Sequence, residues 1–352
     1  MRFGKWGNGK MELNERKLRI LQAIVEDYIL TGEPVGSRTI ARKYGLELSP
    51  ATIRNEMSDL EEMGYLEQPY TSAGRIPSDK GYRLYVDRLM RTHALPRRDI
   101  ERIKERYEQR IGAVDQIITE TARILADTTN YTSLVLAPRL NRIRIKHVEL
   151  VPINDKTALI VIITTAGIVK DSFITIPEGV DDEMLHKISS AISRYTNGKM
   201  PSELKPDMLN EKELSFDKRM FNMIFESIIN SLLPSSENDL YMDGANNILD
   251  FQEYNDLVKA KTFLNMLEDK RLPMRLLSAS MNADVSIIIG SENEYEEFRD
   301  YSVITATYKL GDQIIGTIGV LGPKRMKYSY ALSTVRFLRN KLSDILTKIA
   351  EQ

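Results

Sequence analysis

The sequence predicts an α+β chain of more than one domain, and three observations carry that reading. At 352 residues it is longer than one hydrophobic core usually serves. Apolar residues recur at three- and four-residue steps through residue 127, then in β-branched runs from Tyr131 onward. The strand-rich part is itself interrupted, because residues 200–282 return to helical spacing. The domains expected are 11–92, a connecting helical segment 93–130, an α/β domain split between 131–199 and 283–352, and an insertion at 200–282.

The first helix follows from Leu18, Leu21, Val25 and Tyr28, with Asn14 as its N-cap and Gly32 as its stop. A second runs through "SRTIARKYG", with Ser37 as expected N-cap and Ile40, Ala41 and Tyr44 on one face. The third begins at Ser49-Pro50, where a capping hydroxyl precedes a proline that has no N–H to leave unpaired. Ile53, Met57 and Leu60 form its inward stripe, and Gly64 ends it. "YLEQP" reads as a short strand. The loop "YTSAGRIPSDK" and a further helix follow.

Three helices, a strand and a basic Gly-containing loop make the order of a winged helix-turn-helix. With the third helix's stripe inward, Thr52, Arg54, Asn55 and Ser58 are left to face outward. Arginine pairs bidentately with guanine, and asparagine with adenine. Ser37, Arg38, Thr39 and Ser49 sit where phosphates would be met, as helix N-termini meet them. Ser72, Gly74, Arg75 and Lys80 belong to the loop, with Gly74-Arg75 expected at or near its tip. A plain three-helix bundle and a plain surface hairpin are the alternatives.

Residues 97–127 predict a long helix broken near Gly112, packed on its own chain or against a second subunit. Its repeat is interrupted at Arg110 and Thr121. In the insertion, Met220, Ile224, Ile228 and Leu232 form one helical stripe, and Leu257, Leu264 and Leu267 another. "LYMDGANNIL" between them reads as a strand or hairpin. The opening "MRFGKWGNGK", residues 1–10, has no apolar signal-peptide core and reads as a disordered lead-in.

Composition removes several functions. The chain has no cysteine, so disulfides, thiolate metal sites and a thiol nucleophile are excluded. No apolar run is long enough to span a membrane. Three histidines stand apart with no metal-binding spacing. "GTIGVLGPKRM" lacks nucleotide-loop spacing, and its glycines read as close packing or bends in a strand. "ENEYEEFRD" reads as a solvated helix face. Net charge is −1, but residues 1–110 carry 21 Lys+Arg against 17 Asp+Glu, and the remainder 28 against 33. The excess cation lies on the part expected to meet an anion.

Residues 36–87, above all "SPATIRNEMSDLEEMGYLEQPYTSAGRIPSDKGYR", closely resemble the HrcA family of bacterial heat-inducible transcription repressors. The resemblance continues through "NDLYMDGANNILDFQEYNDL" and "SENEYEEFRDYSVITATYKLGDQIIGTIGVLGPKRMKYSYAL", and spans the chain from about residue 11. It implies a winged-helix domain, a GAF-like domain and an inserted dimerisation domain. It implies a cytoplasmic homodimer, nucleoid-associated when bound to double-stranded DNA at an inverted-repeat operator, the CIRCE element. It also implies repression of chaperone operons with the GroE chaperonin as modulator. No enzyme activity, cofactor or membrane attachment is implied. Rival readings are a regulator with a small effector, a phosphate-using enzyme, and an interaction scaffold.

Overall fold

The computed structural model describes residues 13–108, 114–138, 143–176, 180–205, 218–232 and 240–351. The expected lead-in 1–10, Arg110 and the expected break at Gly112 lie outside the described residues, as do the side chains of Met220 and Leu232.

Helix α1 (Glu15–Thr31) starts where the Asn14 side chain accepts from the Lys17 N–H, and ends at Gly32 in the left-handed region. Helix α2 (Ser37–Lys43) follows, then α3 (Pro50–Glu62), capped by Ser49 Oγ on the Thr52 N–H. Ile20, Leu21, Ile24, Ile40, Ile53 and Leu60 are fully buried together, so the three helices close one core. Ser37 does not cap α2. Gly36 holds that position without a side-chain bond, and Ser37 is the first helical residue.

Strands β1 (Leu66–Glu67) and β2 (Ile76–Pro77) form a short antiparallel pair. Helix α4 (Asp79–Leu84) starts on the Ser78 cap and runs into a π-helical turn at Tyr85–Leu89. Within the stretch expected to be a long helix broken near Gly112, the described residues form α5 (Arg97–Glu108) and α6 (Val114–Thr129). They pack on each other within the chain. Arg106 pairs with Glu120 and Asp127, and the Tyr107 and Thr121 hydroxyls are 2.6 Å apart. That bond explains the polar Thr121 on an apolar face.

Two sheets follow. The larger is antiparallel in the order β7-β3-β10-β9-β8, built from β3 (Thr132–Leu136), β7 (Leu240–Asp243), β8 (Val285–Ile289), β9 (Tyr301–Leu310) and β10 (Gln313–Pro323). Helix α6 and the terminal helix α11 (Tyr328–Ala350) lie on one face, and α9 (Leu257–Glu268) and α10 (Arg271–Ala279) build the core of the other. Gly319 and Gly322 of β10 sit where a Cβ would strike Ile304 O and the Tyr131 ring, so these glycines mark close packing.

The smaller sheet, β4-β5-β6, comprises Ile145–Asn154, Thr157–Thr164 and Val169–Thr175. Helices α7 (Asp182–Thr196) and α8 (Lys218–Leu232) cover one of its faces. Residues 200 and 282 therefore do not mark the break between sheets. β7, inside that interval, pairs with β3 of the large sheet, while β4–β6 outside it stand apart. The acidic stretch 292–300 also departs from expectation. It forms one-turn 3-10 segments around buried Phe298 rather than a solvated helix.

Candidate nucleic-acid interface

The N-terminal unit sorts its cations into two sets. Arg38 and Arg42 on α2, and Arg54 on α3, are exposed and have no ion pair among the described residues. Thr39, Asn55 and Ser58 share those exposed surfaces. Thr52 is half-buried, and its hydroxyl lies 2.9 Å from Ser49 Oγ at the start of α3. Pro50 contributes no N–H there and Ser49 takes that of Thr52, so the first turn of α3 is held in place by its own cap. Opposite, Ile53, Met57 and Leu60 anchor the helix in the core.

Lys17 and Lys43, by contrast, are engaged, whereas Arg19, Arg88 and Arg91 are exposed elsewhere on the unit and likewise have no ion pair among the described residues. Lys17 is buried between Glu56 and Asp59, at 2.8 and 2.9 Å, and ties α1 to α3. Lys43 pairs with buried Asp27, which also accepts from the Tyr44 hydroxyl. Burial and the Asp27 charge push the Tyr44 hydroxyl's pKa up.

Gly74-Arg75 do not form the loop tip. Arg75 exchanges two 2.9 Å backbone hydrogen bonds with Val35, making a one-residue third strand beside β2. Its guanidinium donates to Glu61 at 2.8 Å. Gly74 lies against Val35 so closely that a Cβ would fall 2.4 Å from that carbonyl oxygen. Lys80 donates to Met63 O at 2.8 Å and lies over the Tyr65 ring. Ser72 is exposed. Of the four loop residues expected to grip an anion, only Ser72 is free of an internal role. Arg42, on the same helix as Arg38, is an exposed cation of this surface that sequence reasoning missed. Its position one turn after Arg38 was the available signal.

The unit is clasped to the rest of the chain through α4. Arg83 donates to Glu292 at 2.7 Å and to Ile287 O at 2.6 Å. Asp79 accepts from the Ser291 N–H at 2.8 Å and from Lys324 at 2.9 Å. Burial pushes the Asp79 carboxyl up, but the Ser291 N–H and Lys324 outweigh it and hold the group below the usual aspartate value. Arg325 pairs with Glu253 beside the end of α1, and the rings of Tyr82 and Tyr328 pack 5.9 Å apart.

Among the described residues no group of histidines and carboxylates could hold a metal ion, and no helix is long and apolar enough to cross a membrane. His147 is satisfied by Glu149 and Ser193 at the surface.

Comparison with known proteins gives a consistent answer. Residues 115–332 match the model of the HrcA protein C-terminal domain. The heat-inducible transcription repressor HrcA of Ruminiclostridium cellulolyticum is 46% identical over 349 residues, covering 97% of this chain and 99% of that protein. Its counterpart in Alkaliphilus metalliredigens is 44% identical, covering 96% and 98%. A crystal structure of a hypothetical protein superposes with a TM-score of 0.63 at 24% identity, over 96% of this chain and all of that one, which supports the fold alone. With nearly full-length identity to named repressors of one kind, the chain belongs to the HrcA family of heat-inducible transcription repressors.

Proposed function

We propose that this repressor reads DNA through the exposed surface of α2 and α3, and that its N-terminal unit acts as a winged helix-turn-helix. The observation that carries this is the sorting of cations. Among the described residues Arg38, Arg42 and Arg54 are unpaired beside Asn55 and Ser58, while Lys17, Lys43 and Arg75 are neutralised internally. Unpaired arginines on a helix anchored from behind are preorganised for base edges and phosphates. Ser37, Thr39, Ser49 and Thr52 flank that surface and suit phosphate contacts.

The proposed operator is an inverted repeat, the CIRCE element, ahead of chaperone operons, read by a homodimer so that two units meet two half-sites. The GroE chaperonin is the proposed modulator. The large sheet with α6 and α11 is the proposed GAF-like domain, and since β7 pairs within that sheet, residues 143–232 are the proposed inserted unit in place of the expected 200–282. Among the described residues, one face of its small sheet is left uncovered. Val151, Leu159 and Phe173 form one cross-strand row there, and Phe173 is 69% exposed. That face is the proposed dimer seam. Phe173→Asp should give monomers by light scattering; an intact dimer would place the seam elsewhere.

The test of the function is a footprint of purified protein across DNA upstream of chaperone operons, at two temperatures, with and without chaperonin. Protection of an inverted repeat, weakened by heat and restored by chaperonin, is expected. Uniform protection without sequence preference would overturn the proposal.

A further inference from the structure

The loop between β1 and β2 has a shape that its composition conceals. Its one cation, Arg75, is turned onto Glu61, and its tip is residues 69–73. The Ala73 N–H donates to Tyr70 O at 2.8 Å, closing a tight turn. The Gln68 amide donates to Thr71 O at 2.9 Å and to Ala73 O at 3.2 Å, bracing the turn from inside. Below it, Arg75 is fixed to Val35 and Glu61. The loop is therefore held by its own hydrogen bonds before any partner arrives.

What this loop presents is uncharged. Pro69, Tyr70, Thr71 and Ser72 are exposed, and Tyr70 is 61% exposed. Its ring and hydroxyl have no partner among the described residues. An aromatic ring on a braced turn loses little freedom on binding, so its contact area converts efficiently to affinity. At the base of the loop Arg75 is bonded to Val35, which leads within two residues into α2, the helix that carries Arg38.

We infer that Tyr70 is the wing's DNA contact, its ring set against the sugar and base edges that flank each half-site and its hydroxyl donating to a phosphate. The inference rests on the DNA-reading role proposed above. It assigns the wing a contact without cations. The wing then adds affinity without displacing counterions, and the salt dependence of binding comes from α2 and α3 alone. Arg75 is a structural residue in this account.

The test is an anisotropy titration of the full chain on an inverted-repeat operator duplex and on a scrambled duplex, across a range of NaCl concentrations. Wild type, Tyr70→Ala, Tyr70→Phe and Arg75→Ala are compared, with thermal unfolding as a folding control. Tyr70→Ala should weaken operator binding about tenfold at every salt concentration, the size of one lost aromatic stack. Its slope against log salt should stay at the wild-type value, and Tyr70→Phe should recover most of the loss. Arg75→Ala should also keep the wild-type slope. Operator binding by Tyr70→Ala equal to wild type, or a slope reduced by about one charge in Arg75→Ala, would overturn the inference. Wild type with no preference for the operator would overturn the DNA-reading role itself, and this contact with it.

Discussion

Arg54 and Arg83 are both arginines on helices of the N-terminal unit, and they have opposite surroundings. Arg54 stands on α3 with no ion pair among the described residues. Arg83 stands on α4 and reaches Glu292 and Ile287 O, across 209 and 204 residues of sequence. A free arginine keeps its five donors for an external acceptor, whereas a paired one must first break its internal bonds. The two arginines therefore serve the proposed reading surface and the clasp respectively, and it is pairing, not residue type, that separates them.

The largest expected effect lies on the reading side. Replacing Arg38 and Arg54 together by alanine should weaken operator binding by about 100-fold or more, since each contact of this kind is worth about 1–3 kcal/mol. Thermal unfolding should remain at the wild-type midpoint, because neither side chain makes an internal bond among the described residues. An altered midpoint with unchanged binding would invert the comparison.

Arg83→Ala should do the reverse. Removing one partner leaves Glu292 and a backbone carbonyl without their donor. Partial exposure of the pair keeps the cost near about 2 kcal/mol, below that of a fully buried ion pair. Urea titration should register it, and a double-mutant cycle with Glu292→Ala should show the coupling. Operator affinity measured well below the unfolding midpoint should change far less than in the reading-surface variant.

A smaller effect is expected at Asp79. Its folded carboxyl titrates below the usual value of 3.8. The clasp it makes therefore stabilises the fold above that value and fades as pH falls through the lower folded value. Asp79→Asn should cost about 1 kcal/mol near neutral pH. The gap to wild type should narrow below about pH 4 in chemical denaturation. A gap that stayed constant across the range would mean that the carboxylate charge adds nothing to the clasp.

Much of this was legible in the sequence because the signals were local. Ser49-Pro50 marks the start of α3, and Ile53, Met57 and Leu60 its buried stripe, within one helix length. The β-branched runs marked β3 to β6 and β8 to β10 because each strand shows its own pattern. What stayed hidden depended on distant partners. Arg75 and Lys80 look like a basic loop until Glu61, Val35 and Met63 are brought beside them. The "LYMD" strand carries no mark saying which sheet it joins, and only its pairing with β3 assigns it. Glu292 likewise reads as a solvated acid until α4 delivers Arg83.

The central claim, that α3 reads base sequence while the clasp holds the fold, is tested most directly with one variant. Wild type and Arg54→Ala would be titrated by anisotropy against the inverted-repeat operator and against duplexes with single base-pair changes in one half-site. Wild type should lose about 1–3 kcal/mol at each contacted base pair. Arg54→Ala should bind the operator at least tenfold more weakly and become indifferent to the base pair that Arg54 contacts. An Arg54→Ala profile parallel to wild type at every base pair would contradict the account.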